Sequence, residues 1–80
     1  MSSNNWMQTA TRWGTTVTYG IRNGKAYIEV TDLETGEELT ASESPTSNGE
    51  LIYCVDVKAE LTAVDAPQKD IKRMMDHLHA

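Results

Sequence analysis

The sequence predicts an α+β fold: an antiparallel β-meander of about four strands with a C-terminal amphipathic helix packed on one face. Three observations predict it. Asn23-Gly24 stands between two alternating runs, the setting of a two-residue type I′ hairpin turn. The run from Leu51 through Leu61 alternates apolar residues at every second position, the period of a half-buried strand. Ile71, Met74, Met75 and Leu78 recur at i, i+3, i+4 and i+7, the stripe of a helix lying on a core.

Eighty residues make one domain, residues 1–80, with room for a single small core. Residues 1–12 open with the polar run Ser2-Ser3-Asn4-Asn5. Trp6, Ala10 and Trp13 then fall at helical spacing, but Thr9, Thr11 and Gly14 oppose a long helix, so this segment is expected as a mobile arm with at most one helical turn. Trp6 and Trp13 are expected to close the edge of the core, as large amphipathic rings usually do, with a partner-facing anchor as the alternative.

Around Asn23-Gly24 the turn sets the register. With Arg22 opposite Lys25, the apolar pairs Ile21 with Ala26, Tyr19 with Ile28 and Val17 with Val30 share one face, and Thr18 with Glu29 and Thr16 with Thr31 share the other. Arg22 and Lys25 form a solvated tip, or alternatively a small basic contact point. A second turn follows. A four-residue loop, Leu33-Glu34-Thr35-Gly36, pairs Val30 with Leu39 and Ile28 with Ala41 and keeps the apolar face continuous. Residues 42–49, rich in Ser, with Pro45 and Gly49, read as a surface loop. The strongest strand starts at Leu51, with Tyr53, Val55 and Val57 on one side and Ala59 and Leu61 continuing the pattern. Asp65 then reads as the N-cap of the terminal helix, with Ala66 and Pro67 in its first turn and Lys69, Lys72, Arg73 and Asp76 on its wet side. One helix leaves part of a four-stranded sheet uncovered.

Charge is the functional signal. Ten of the 12 carboxylates lie between Glu29 and Asp65, where the only base is Lys58, giving that segment −9. Residues 1–28 carry +3 and residues 66–80 carry +1, for a net charge of −5. A one-signed field of this kind repels nucleic acid and attracts basic partners over a Debye length of about 10 Å. Its simplest reading is a solvated face that keeps the chain dispersed; the sharper one is a contact surface for a basic protein groove.

The other chemistries find little support. His77 and His79 differ by two and match no zinc spacing, so no metal or other cofactor is expected. Cys54 sits mid-run between Tyr53 and Val55, where a free thiol behaves as a small buried hydrophobe. Adjacent carboxylates such as Glu37 and Glu38 point apart and have no apolar pocket around them, so the chain is not expected to be an enzyme. Arg12, Arg22 and Lys25 make too sparse a basic stripe for direct nucleic-acid binding. Nothing reads as a membrane span or a secretory leader, and the lone cysteine suits a reducing compartment, so a cytoplasmic location is expected.

The Met1-Ser2-Ser3 start, the hairpin Val17-Thr18-Tyr19-Gly20-Ile21-Arg22-Asn23-Gly24-Lys25-Ala26-Tyr27-Ile28, the Glu34-Thr35-Gly36-Glu37 turn and the terminal amphipathic helix together resemble small phage-encoded inhibitors of bacterial defence, the anti-CRISPR proteins. These share a style of architecture rather than a motif, so no residue role carries over. The resemblance implies a stoichiometric inhibitor that docks on a Cas protein complex without catalysis. The expected function is therefore non-enzymatic inhibition of a basic, nucleic-acid-handling protein or nucleoprotein complex through Glu34, Glu37, Glu38 and Glu43, with Asp32 supporting. The alternative is a small structural or assembly module acting as a homodimer through an uncovered sheet face or edge.

Overall fold

The structure, a computed structural model, describes residues 5–43, 51–52 and 55–79. Its elements in chain order are β1 (Trp6–Arg12), β2 (Thr15–Arg22), β3 (Lys25–Asp32), β4 (Glu38–Glu43), β5 (Leu51–Ile52), β6 (Val55–Asp56), α1 (Val57–Ala63) and α2 (Gln68–Leu78). The first four strands form one antiparallel sheet in the order β1-β2-β3-β4, and β5 pairs with β6 in a separate two-stranded ladder. The fold is the α+β meander with a C-terminal amphipathic helix that the patterning predicts.

Local turn chemistry places the two central hairpins as expected. Arg22 pairs with Lys25, Ile21 with Ala26, Tyr19 with Ile28 and Val17 with Val30. Val30 pairs with Leu39 and Ile28 with Ala41 across the next loop. Every second residue therefore faces the helices. Val17, Tyr19, Ala26 and Ile28 from the sheet meet Val57, Leu61, Ile71, Met74 and Leu78 from the helices in one buried cluster. Each large side chain fully removed from water there contributes about 1.5–3 kcal/mol. Across this core the Tyr19 hydroxyl donates to Asp70 Oδ2 at 2.7 Å, joining β2 to the first turn of α2. Burial pushes the Tyr19 hydroxyl above its ordinary pKa, and the hydrogen bond to Asp70 and its charge push the same way.

Three expectations are corrected. Residues 6–12 are neither arm nor helix: β1 runs the length of β2, pairing Trp6 with Ile21 and Arg12 with Thr15. The close approach depends on Gly20, where a Cβ would sit 1.9 Å from the Trp6 carbonyl oxygen.

The long strand predicted from Leu51 through Leu61 is not one strand: β5 and β6 are two short strands that pair antiparallel with each other, Leu51 with Asp56 and Ile52 with Val55, and a helix follows from Val57. Asp56 Oδ1 accepts the Ala59 N–H at 3.0 Å and caps α1. Val57, Leu61 and Val64 are buried at i, i+4 and i+7 while Ala59 is exposed, so the helical period wins over the alternating one. Asp56 and Glu60 thus belong to a helix start. Tyr53 and Cys54 lie outside the described residues, as do residues 44–49 of the loop predicted over 42–49, whose first two residues, Ser42 and Glu43, instead complete β4.

Asp65 does not cap α2 but closes α1. It adopts a left-handed φ of 57°, and its N–H donates to Thr62 O at 3.0 Å while the Ala66 N–H donates to Leu61 O at 2.9 Å. This is the paired-bond C-terminal closure of a Schellman motif. Pro67 takes the N-cap position of α2, which starts at Gln68.

Candidate partner-binding end of the sheet

A meander sends alternate turns to opposite ends, and that sorts the charges. The β1–β2 turn at Trp13-Gly14 and the β3–β4 loop share one end; the Asn23-Gly24 turn occupies the other.

At the first end the loop is built around Asp32. Its Oδ1 accepts the N–H groups of Glu34 at 2.8 Å and Thr35 at 3.3 Å. Its backbone carbonyl accepts from Gly36 N–H at 2.7 Å, and its own N–H donates to Glu37 O at 2.9 Å. An aspartate bonded to the backbone two residues on is the usual device for fixing such a turn, and Gly36 supplies the positive φ of 77° that the turn requires. Asp32 is therefore the organiser of the loop. Glu34, Glu37 and Glu38 are all exposed around it.

The neighbouring turn is bonded to this loop, because the Leu33 N–H donates to Gly14 O at 2.9 Å. Trp13, which precedes that glycine, is 83% exposed, and the Arg12 guanidinium lies over its ring at 5.2 Å from the centroid. Leu33 is 58% exposed and Leu39, paired with Val30, is 51% exposed. Of the four large apolar side chains that stand out among the described residues, only Met7 lies toward the other end. The acidic loop thus shares its end of the sheet with three exposed apolar side chains, Trp13, Leu33 and Leu39.

Of the two tryptophans expected at the edge of the core, only Trp6 is there; Trp13 is 83% exposed, which corrects that expectation. Trp6 closes the core, edge-on to Tyr19 at 5.9 Å between centroids and with Arg73 stacked 4.2 Å from its own. Trp13 projects outward. The periodicity of residues 6–13 did not separate them, since their spacing of seven reads as helical; Trp13-Gly14 between two threonine-rich runs is the signal that could have placed a second tight turn there.

The other end is basic. Arg22 lies over the Tyr27 ring at 5.8 Å, and a depression is lined by Arg22, Asn23, Lys25, Tyr27 and Ser42. Glu43 is found here, since it pairs with Ala26 beside Lys25. It does not join the acidic loop. The structure brings Asp32, Glu34, Glu37 and Glu38 together and sends Glu43 to the opposite end of β4, because that strand runs the full length of the sheet.

Among the described residues no group of three or more His, Cys, Asp or Glu side chains is placed to hold a metal ion. No helix among them is long and apolar enough to cross a membrane. Comparison with known protein families, curated proteins and solved structures finds no match.

Proposed function

We propose that this protein is a non-enzymatic, protein-binding inhibitor whose acidic end docks on a basic, nucleic-acid-handling protein complex in the bacterial cytoplasm, as the resemblance to anti-CRISPR proteins implies. The observation that carries the reading is the solvent-exposed Trp13, held by a hydrogen bond between its turn and the loop bearing Glu34, Glu37 and Glu38. A solubility device needs carboxylates but no exposed indole. An anchoring aromatic ringed by charge is instead how protein interfaces concentrate affinity and select partners.

In this mechanism the carboxylates take the place of phosphates in a basic groove while Trp13 and Leu33 fill an apolar recess beside it. The carboxylates set the association rate and the ring sets the lifetime of the complex. The loop is prebuilt by Asp32, so docking requires little ordering.

The test measures association and dissociation against a captured basic nucleoprotein complex, a Cas effector being the first choice. The combined Glu34→Gln, Glu37→Gln and Glu38→Gln variant is expected to associate about tenfold more slowly at low salt and to lose its salt dependence. Trp13→Ala should weaken binding by about 2 kcal/mol or more, roughly 30-fold, mainly through faster dissociation. Binding unchanged in both variants would remove this end of the sheet as the docking site.

A further inference from the structure

We propose that a second copy of this chain pairs with the β1 edge, giving an antiparallel homodimer whose sheet runs continuously through eight strands about a twofold axis at Thr9. This stands apart from the docking reading, since it uses a different edge and is read by association state alone.

The backbone of β1 specifies how the pairing must occur. In a two-residue hairpin the residues flanking the turn exchange both hydrogen bonds, so Arg12 and Thr15 bond to each other and the next pair does not. The side chains agree, because Thr11 with Thr16 and Thr9 with Thr18 approach closely enough to join their hydroxyls at 3.0 and 3.3 Å, as non-hydrogen-bonded pairs do. Thr11, Thr9 and Met7 therefore aim their N–H and C=O groups away from β2, along the outer edge of the sheet.

Natural edges are normally blunted by charge, proline or a bulge. From Trp6 through Thr11 this strand has no charged residue and no proline, and its register against β2 is unbroken. β1 carries a single charge, Arg12 at its last position, whereas β4 carries Glu38 and Glu43 at its two ends. Residues 1–28 contain no carboxylate, so two chains of net charge −5 meet at β1 through their acid-free parts.

Self-pairing also selects a register. Centring it on Thr9 sets Met7 opposite the second copy's Thr11 and Thr9 opposite its counterpart, so all three outward-facing residues of each chain are satisfied by roughly six inter-chain hydrogen bonds. On the other face Trp6, which Arg73 already stacks on, stands opposite the second copy's Arg12, and Gln8 stands opposite Ala10. Within the two strands no like charges stand directly opposite each other. The two Trp13 ends then lie at opposite ends of the extended sheet, so the dimer presents two docking ends.

Sedimentation of the full chain from micromolar to millimolar concentration tests this, with amide exchange at both extremes. A reversible dimer is expected, with slowed exchange at Met7, Thr9 and Thr11 only at the higher concentration. Thr9→Lys puts two ammonium groups against each other at the axis and should raise the dissociation constant by about tenfold or more. Thr18→Lys adds the same charge to the same face one strand inward and should leave the dimer intact. A chain that stays monomeric throughout, a dimer that survives Thr9→Lys, or one lost equally in Thr18→Lys overturns the assignment. If Thr9→Lys fails to fold, concentration-independent exchange at the three wild-type amides does so.

Discussion

The two tight turns on either side of β2 have almost the same backbone. Trp13 and Gly14 adopt φ of 55° and 75°, and Asn23 and Gly24 adopt 54° and 78°. At Asn23 the residue suits the conformation, since asparagine tolerates the left-handed region and is favoured there in hairpins. At Trp13 it does not. A bulky side chain in that region costs about 1–2 kcal/mol, and this one recovers little by packing, because most of its surface faces water. One turn is chosen for folding; the other carries a residue that folding alone does not explain. Local rules tend to be broken where function asks for it. The comparison therefore singles out Trp13 as the turn residue whose role has to be tested by binding rather than by folding.

The largest expected effect separates the hairpins at Gly20, in the strand they share. A Cβ there would meet the Trp6 carbonyl oxygen at 1.9 Å and Met7 Cα at 2.8 Å, both backbone atoms that cannot swing aside. Gly20→Ala is expected to destabilise the fold by about 3 kcal/mol in denaturant titration. Amide exchange should show the loss concentrated in β1, with the Asn23-Gly24 hairpin retaining its protection. Uniform loss across the sheet would mean that β1 is integral to the whole core rather than laid against it.

The same contrast shows what was readable from the residues. The Asn23-Gly24 hairpin was legible to the level of individual pairs because turn type, strand alternation and apolar face agree, and a slip of one residue would invert the face. β1 was not legible, because Trp6, Met7 and Ala10 do not alternate and its pairing rests on a glycine in another strand. Residues 57–64 misled for a different reason. Val57 and Leu61 satisfy both a period of two and a spacing of four, and only the exposure of Ala59 and the cap from Asp56 decide between them. Of the candidate site, the clustering of Glu34, Glu37 and Glu38 followed from the turn. Trp13 joined them only through the tertiary bond between Leu33 and Gly14, which no local pattern encodes. Glu43 misled because closeness in sequence to the loop is distance along the strand.

A smaller effect reads how firmly the shared strand is held to α2. The buried Tyr19 hydroxyl donates to Asp70, and its pKa is raised above the unfolded value of about 10. The protonated form is therefore the one that the fold favours. Its contribution is fully present below pH 10 and lost as pH rises toward the folded value. Chemical denaturation should show this group contributing constant stability from pH 7 to 9 and losing about 1 kcal/mol of it between pH 10 and 11. Tyr19→Phe, compared at each pH, isolates the term from Tyr27, Tyr53 and the lysines. A wild-type curve parallel to that of the variant would show that the hydroxyl bond does not couple β2 to α2.

The finest test exchanges the turn residues. Trp13→Asn places the preferred residue in a conformation that already exists and should raise stability by about 1 kcal/mol, a gain of about 4–8 °C in midpoint for a domain of this size. Asn23→Trp should lower it by a similar amount, because the bond that ties this turn to Asn5 Oδ1 at 2.7 Å is donated by the residue-23 backbone N–H and is kept in the variant. The double exchange should return close to the wild-type midpoint, since the turns lie at opposite ends of the sheet and share no contacts, the condition under which effects add. It would fold like the natural chain yet present its indole at the basic end. Docking lost in a protein of unchanged stability would locate the binding function in where the tryptophan stands, whereas a Trp13→Asn variant no more stable than wild type would mean that the Arg12 stacking already offsets the strain, and the functional argument from that strain would fail.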